Sequence, residues 1–175
     1  MKNRNLVQLF LTLLALMLVM SLPGLAKPSV FVDKAAGFQL VAPDGWQADT
    51  PKAKTMKAEA LFFGPNQGKD FRSNINVMVQ SCPDIKTYTK LTLDQLKNPQ
   101  VKGTVVSQKD LKAGKADGHQ LIWKATMGGK KLQFNSTYFC VGGKTFLFTG
   151  TSLEANWKDV EKLYEASSKT FQPAQ

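Results

Sequence analysis

His119 is the single histidine of the 175-residue chain, so any reaction that needs an imidazole base would have to use it. Nothing near it in the sequence resembles the nucleophile elbow that presents a catalytic serine. His119 also stands at the start of a strand-like run, which favours a surface or edge-strand histidine over a Ser-His-Asp system. We therefore predict no catalytic residues and a protein that is not an enzyme.

The residue types that bind metal ions are few and far apart in the sequence. One histidine and two cysteines separated by 58 residues do not match the spacing of zinc ligands. The acidic residues Asp33, Asp44, Asp49 and Asp70 are scattered, without the spacing of a calcium loop. We expect neither a metal nor a cofactor. The sequence leaves open whether the fold brings two carboxylates together for hydrolysis.

The segment from Gly64 to Asp70 resembles a phosphate-binding loop in composition but not in chemistry. The spacing between its glycines and its lysine is one residue short of the motif. Asp70 stands where a serine or threonine would bind magnesium, and Pro65 lacks a backbone donor that such a loop needs. The sequence therefore predicts a strand-linking loop here rather than a nucleotide site.

Cys82 and Cys140 lie at the ends of two predicted strands, in a chain that we expect to reach an oxidising compartment. Pairing them would close a loop of 58 residues. In the chain-entropy model such a loop adds about 4 kcal/mol of stability. We predict a disulfide between the two, and the alternative is a pair of buried, reduced thiols.

The first 26 residues have the three parts of a secretory signal peptide. A lysine and an arginine open the segment, residues 6–20 are almost wholly apolar, and small residues precede Lys27. The apolar run is short for a membrane span, and no stop-transfer pattern follows it. We predict cleavage between Ala26 and Lys27, export to a periplasm, a thylakoid lumen or the cell exterior, and one mature domain, residues 27–175. The alternative is an uncleaved N-terminal anchor.

The mature chain would be strongly basic, with 21 basic and 13 acidic residues and a formal net charge of +8. All but one of these basic residues are lysines, whereas nucleic-acid and phosphate sites favour the planar fork of arginine. We expect no nucleic-acid partner and interpret most lysines as a solubilising surface. Two clusters could form a basic docking surface for an acidic partner protein or an anionic membrane face. They are Lys52, Lys54 and Lys57, and Lys109, Lys112 and Lys115.

Alternating apolar and polar residues predict strands in the first half of the chain. Residues 74–80 alternate cleanly, with Ile75, Val77 and Val79 on the face that should meet the core. Residues 84–97 are helical in composition and end before a proline. Further strands are predicted at residues 30–32, 38–41, 58–63 and 103–111, with a loop or short helix at residues 50–57.

Residues 118–171 organise the chain, because two glycine pairs divide the segment into three strands followed by a helix. Gly128-Gly129 and Gly142-Gly143 suit hairpin turns that need positive φ angles. The predicted strands are residues 120–126, 131–141 and 145–149, and an N-glycosylation motif at Asn135-Ser136-Thr137 lies inside the second of them.

A capping box at residues 151–154 predicts the start of the last helix. Its apolar stripe would consist of Leu153, Trp157, Val160 and Tyr164. The element order is therefore ββββ-α-ββββ-α with short connections. This order predicts a single α+β domain with a mostly antiparallel sheet flanked by helices.

Three stretches, in this order, resemble the PsbP-like superfamily. Gly37-Phe38-Gln39-Leu40 followed by Pro43-Asp44-Gly45-Trp46 is similar to its opening, and residues 74–79 are similar to its central strand. The closing strands, the helix that contains Trp157 and residues 168–171 are similar to its C-terminal half. The resemblance implies an α/β/α sandwich, the fold shared by photosystem II extrinsic PsbP proteins, bacterial DcrB-type envelope proteins and a nuclear Ran-binding relative.

The resemblance also implies a function, and export argues against the Ran-binding branch. The sequence lacks the lipid-anchoring cysteine of many bacterial members, the long N-terminal arm of plant PsbP and a histidine-rich metal site. We therefore expect an exported, non-enzymatic accessory protein that docks on a membrane protein or complex, and the branch of the superfamily is left open. The alternative is a small-molecule or lipid carrier, or an unrecognised hydrolase, with a pocket between sheet and helix.

Overall fold

The computed structural model describes residues 30–65 and 71–173. The predicted signal peptide, its cleavage site between Ala26 and Lys27, and Asp70 lie outside the described residues. The strands are β1 (Val30–Asp33), β2 (Phe38–Val41), β3 (Gln47–Ala48), β4 (Ala60–Phe63), β5 (Asn74–Ser81), β6 (Thr104–Ala113), β7 (Ala116–Met127), β8 (Lys130–Val141), β9 (Lys144–Leu153) and β10 (Gln172–Pro173). The helices are α1 (Thr50–Thr55), α2 (Ile85–Leu96) and α3 (Trp157–Thr170), and a 3₁₀ turn (Glu154–Asn156) leads into α3.

Seven strands form one antiparallel sheet in the order β3-β4-β5-β9-β8-β7-β6. The two predicted glycine pairs make its tight turns, since all four glycines have φ angles between 56° and 75°. A second, three-stranded sheet has the order β1-β2-β10. The prediction of an α+β fold with a mostly antiparallel sheet is confirmed.

The large sheet has two different faces. Its core face carries Ile75, Phe139 and Phe148, which pack against Tyr164 of α3 and the small sheet. The opposite face, here called the groove face, carries Tyr138 and Trp123 and lies beneath α2. Strand β8 lies between the two layers, so all eight residues from 132 to 139 are buried.

Helix α2 is held loosely against the groove face. Its N-cap is Asp84, whose carboxylate accepts hydrogen bonds from Thr87 N at 2.9 Å and Thr87 Oγ1 at 2.7 Å. Leu96 is its only buried residue, and Leu91 is 52% exposed. No helix among the described residues is long and apolar enough to cross a bilayer.

Two local predictions are wrong because the strands pair over more residues than the sequence pattern indicates. The predicted capping box belongs to β9, where Ser152 Oγ lies 3.0 Å from Ser73 Oγ, and α3 begins without a side-chain cap. The residues between the strands predicted at 103–111 and 120–126 form a tight hairpin, with Ala113 paired to Ala116. Strand β7 therefore begins four residues earlier than predicted.

Candidate functional site

Two grooves flank α2 on the groove face, because the helix covers only part of the sheet. The His119 groove lies toward β6 and has a volume of about 460 Å³. The Trp123 groove lies on the other side of the helix and has a volume of about 330 Å³. Both correspond to the pocket between sheet and helix that the alternative function requires.

The His119 groove holds the only imidazole but not the partners of a nucleophilic enzyme. His119 is buried, with Nδ1 2.8 Å from Asp110 Oδ1 and Nε2 3.3 Å from Gln108 Oε1. The hydroxyl that lines the same groove, on Thr89, accepts a hydrogen bond from Tyr138 Oη at 3.1 Å. The imidazole therefore contacts a carboxylate and an amide rather than a nucleophilic hydroxyl.

The sequence-predicted acids do not join His119. Asp33 accepts hydrogen bonds from the backbone N–H groups of its own turn, and Asp49 caps α1 by accepting from Lys52 N at 3.0 Å. Asp44 lies in the turn between β2 and β3. Within residues 30–65 and 71–173, no three His, Cys, Asp or Glu side chains form a group that could hold a metal ion.

The Trp123 groove has an aromatic side and a polar side. The Trp123 and Phe134 rings stack, with centroids 3.9 Å apart and planes within 9°. Trp123 Nε1 donates a hydrogen bond to Ser136 Oγ at 3.0 Å, and Tyr88 Oη donates one to Gln80 Oε1 at 3.0 Å. The other lining residues are Asn76, Thr92, Gln95, Leu96, Val101, Met127, Leu147, Thr149 and Thr151.

Tyrosines join α2 and α3 to the sheet. Tyr88 of α2 packs edge-on against Tyr138 of β8, with ring centroids 5.1 Å apart. Burial raises the pKa of both hydroxyls, and for Tyr88 the neighbouring Tyr138 adds to the rise. Burial also raises the pKa of Tyr164 on the core face. All three tyrosines therefore stay neutral and act as hydrogen-bond donors at physiological pH.

Cys82 and Cys140 are joined in the structure, with Cα atoms 5.9 Å apart. Cys82 is buried directly before α2, and Cys140 lies near the end of β8. The bond ties the N-terminal end of α2 to a central strand. The presence of this disulfide in the exported protein stays a prediction.

The two lysine clusters lie at opposite edges of the large sheet. Lys52, Lys54 and Lys57 lie on and just after α1, where Lys52 Nζ is 4.8 Å from the centre of the Phe63 ring in β4. Five strand spacings separate β4 from β6, a distance of roughly 24 Å. The two predicted clusters therefore cannot form one continuous surface.

The second cluster is extended by a residue that the sequence does not reveal. Lys109 and Lys112 lie on β6, and Lys115 lies in the β6–β7 turn. A groove of about 340 Å³ is lined by Lys109, Lys112 and Lys169, the last of which belongs to α3. These four lysines are called the Lys109 surface here. Lys112 Nζ lies 2.9 Å from Asp117 Oδ1, and Glu165 also lines the groove. Lys169 is separated from Lys115 by 54 positions, so only the fold brings it to the cluster.

Strand β6 makes the Lys109 surface accessible. It is an edge strand of the large sheet, and its residues 104–110 are all exposed. A register shift between Val105 and Ser107 interrupts its pairing with β7. Lysines and a bulge are typical of edge strands that do not pair with copies of themselves.

Three solved structures have the same fold. A cyanobacterial PsbP, CyanoP from Synechocystis sp. PCC 6803, matches with a TM-score of 0.61 and 15% identity over 89% of this chain and 98% of its own. PA94 of Pseudomonas aeruginosa, described as a putative regulator of unknown function, matches with a TM-score of 0.61 and 14% identity over 84% and 97%. LpqN, involved in cell envelope biogenesis of Mycobacterium tuberculosis, matches with a TM-score of 0.61 and 14% identity over 84% and 90%.

These likenesses confirm the PsbP-like fold that the sequence motifs predicted. Neither a protein-family model nor a curated protein sequence matches the chain. The fold is therefore shared at a level of identity where function does not follow from it.

Proposed function

We propose that the chain is an exported, non-enzymatic accessory protein that docks on a membrane protein or membrane complex through the Lys109 surface. The observation that carries the proposal is that Lys109 of the exposed edge strand β6 and Lys169 of α3 line one groove, with Lys112 and Lys115 at the adjoining end of the strand and in its turn. Positive charge grouped in this way attracts an acidic partner over a distance of about a Debye length, roughly 8–10 Å.

Two further observations support an accessory role. Around His119 the described contacts include no pair of nucleophile and base. The fold is that of CyanoP, a PsbP protein, and of LpqN, a protein involved in cell envelope biogenesis. The likeness to these two proteins supports export of this chain to an envelope or lumen, in agreement with the signal peptide predicted at residues 1–26.

Affinity capture of the mature protein from solubilised native membranes tests the proposal. Electrostatic docking predicts recovery of a defined partner, with a yield that falls as the salt concentration rises. Reversing charge with Lys109→Glu and Lys169→Glu should abolish capture. The matched control is Lys54→Glu with Lys57→Glu, which changes the net charge equally at the opposite edge and should leave capture intact.

Several results would contradict this function. If capture of the partner falls equally in the two double variants, it depends only on the net charge of the protein. Recovery that does not change with salt would exclude an electrostatic contact. Equal binding to protein-free vesicles with an anionic headgroup would identify a membrane surface, rather than a protein, as the partner. Turnover of a substrate that is lost in a His119 variant would identify an enzyme.

Export has its own test. N-terminal sequencing of protein from the native host should give a mature chain that begins at Lys27, because the charged, apolar and small-residue parts of a signal peptide are all present. Recovery of the chain in membrane-embedded form with Met1 intact would contradict export as a processed protein.

A further inference from the structure

The Trp123 groove differs from the His119 groove and from the groove of the Lys109 surface in that no charged residue lines it. Charged residues make up 21% of the chain, but none of the 14 residues that line this groove is charged. By contrast, lysine and a carboxylate both line the His119 groove and the groove of the Lys109 surface.

A charged ligand does not fit this lining. An ion that enters the groove loses water, and no side chain of opposite sign lines the site to compensate it. The cost of burying an unpaired charge is far larger than that of burying a neutral polar group. The occupant is therefore neutral.

A purely apolar ligand fits no better. Amide and hydroxyl side chains form much of the lining, on Asn76, Gln95, Ser136 and Thr149 among others. An acyl chain would take water from these groups without replacing its hydrogen bonds, at a cost of about 1–3 kcal/mol for each group left unpaired. The occupant therefore offers hydrogen bonds as well as apolar surface.

The positions of these groups favour a ligand with hydroxyls along one side. Asn76 and Thr149 are direct cross-strand partners on β5 and β9, so an amide and a hydroxyl lie side by side. An amide both donates and accepts, as does a hydroxyl, which matches neighbouring hydroxyls of the same dual character. On the aromatic side, the half-buried Trp123 offers apolar surface to C–H groups, while Phe134 is buried and stacks against it from within.

We propose that the Trp123 groove is a binding site for a neutral saccharide. The ring hydroxyls would meet the amides and hydroxyls of β5, β9 and α2, and the C–H face of the sugar would pack against the exposed part of Trp123. The volume of about 330 Å³ lies at the lower end of the range for small-molecule sites, which suits one or two sugar rings. The hydrogen bond to Ser136 fixes the indole in place before the ligand arrives.

The test is a titration of the mature protein followed by NMR on the Trp123 indole N–H signal, with mutation to assign it. The probes are a panel of neutral hexoses, pentoses and disaccharides, with glucuronate as the charged control and toluene as the uncharged apolar control. We expect saturable shifts of the indole signal with at least one neutral saccharide and none with the two controls.

Two variants locate the site. Asn76→Leu and Thr149→Val should each weaken saccharide binding by about tenfold, the effect of losing roughly 1.4 kcal/mol of hydrogen bonding. Gln39→Leu makes the same kind of change at an exposed position on β2, outside the groove, and should leave binding unchanged. Well-dispersed spectra of all three variants would show that each one is folded.

The proposal is overturned if no saccharide of the panel shifts the indole signal at millimolar concentration. It is equally overturned if glucuronate or toluene binds as well as the neutral sugars. Binding that survives both Asn76→Leu and Thr149→Val would place the ligand elsewhere.

Discussion

Gly150 of β9 lies directly against the ring of Tyr164, and this contact fixes how α3 sits on the core face. A Cβ atom at Gly150 would lie 2.5 Å from Tyr164 Cδ1 and 2.7 Å from Cγ. Tyr164 Oη donates a hydrogen bond to the carbonyl of Thr151, so the ring cannot move away without losing it. Glycine is required here by the closeness of the ring rather than by a positive φ angle.

Gly150→Ala should therefore destabilise the protein by about 1–3 kcal/mol, the usual cost of overpacking a core. Gly128→Ala is the control, because its Cβ atom would meet nothing within 4 Å and only the φ angle of 56° is unfavourable. Urea unfolding followed by circular dichroism measures both. If Gly150→Ala loses no more stability than Gly128→Ala, the close packing of Tyr164 of α3 against Gly150 is contradicted.

Helix α2 depends on few contacts, and the disulfide is one of them. Its only buried residue is Leu96, at the C-terminal end, whereas Cys82 fixes the N-terminal end to β8. Between these two points the helix leaves both grooves open. The placement of α2 therefore sets how much of the groove face is covered.

The Cys82–Cys140 disulfide should be present in protein from the native compartment. Unreduced, alkylated protein should show no alkylated cysteine by mass spectrometry, and replacing both cysteines by alanine should cost about 4 kcal/mol of stability. Reduction should also speed amide hydrogen exchange in α2, while amides near the β7–β8 turn serve as the unaffected control. Two alkylated cysteines in the native material would rule the disulfide out.

The elements themselves were predictable where the signals are local. Glycine pairs, clean alternation and the Asp84 cap mark the turns of the large sheet and the start of α2. Strand pairing joins residues that are far apart in the sequence, so the local pattern does not predict how far a strand extends. The sequence therefore did not predict residues 116–119 of β7 or residues 150–153 of β9 as strand. The capping box failed for the same reason, since Ser152 contacts Ser73 from a distant part of the chain.

At the scale of the whole molecule, three carboxylates link stability to pH. Hydrogen bonds from Lys124 to Glu154, from Lys90 to Asp94 and from Thr87 N to Asp84 hold the pKa of each carboxyl below its usual range. A carboxyl with a lowered pKa in the folded state stabilises the fold at any pH above its unfolded pKa of about 4. That contribution is lost as the pH falls through the folded value.

The free energy of unfolding should therefore stay nearly constant from pH 7 to about pH 5 and fall below about pH 4. Glu154→Gln should show a smaller fall over the acid range, because the variant cannot lose the ion pair by protonation. Urea unfolding at a series of pH values measures how steeply the free energy of unfolding falls with pH in the wild type and in the variant. Identical slopes for the wild type and the variant would mean that the Lys124–Glu154 pair does not contribute.

The candidate sites depend on the whole molecule, so the sequence predicted them only in part. Lysine composition indicated the Lys109 cluster, but Lys169 joins it only because α3 crosses the core face beside β6. The Trp123 groove takes its residues from four strands and α2, between positions 76 and 151. No motif in the sequence marks these residues as neighbours, because most of them are far apart in the chain.

Photo-crosslinking from two positions tests the central claim, docking through the Lys109 surface, most directly. A photoreactive residue would replace Lys115 in the exposed β6–β7 turn or Lys54 on α1, and each protein would be irradiated with native membranes. Because the two positions lie at opposite edges of the sheet, the account predicts one defined crosslinked partner from position 115 and none from position 54. The same crosslinks from both positions, or a partner from position 54 alone, would contradict it.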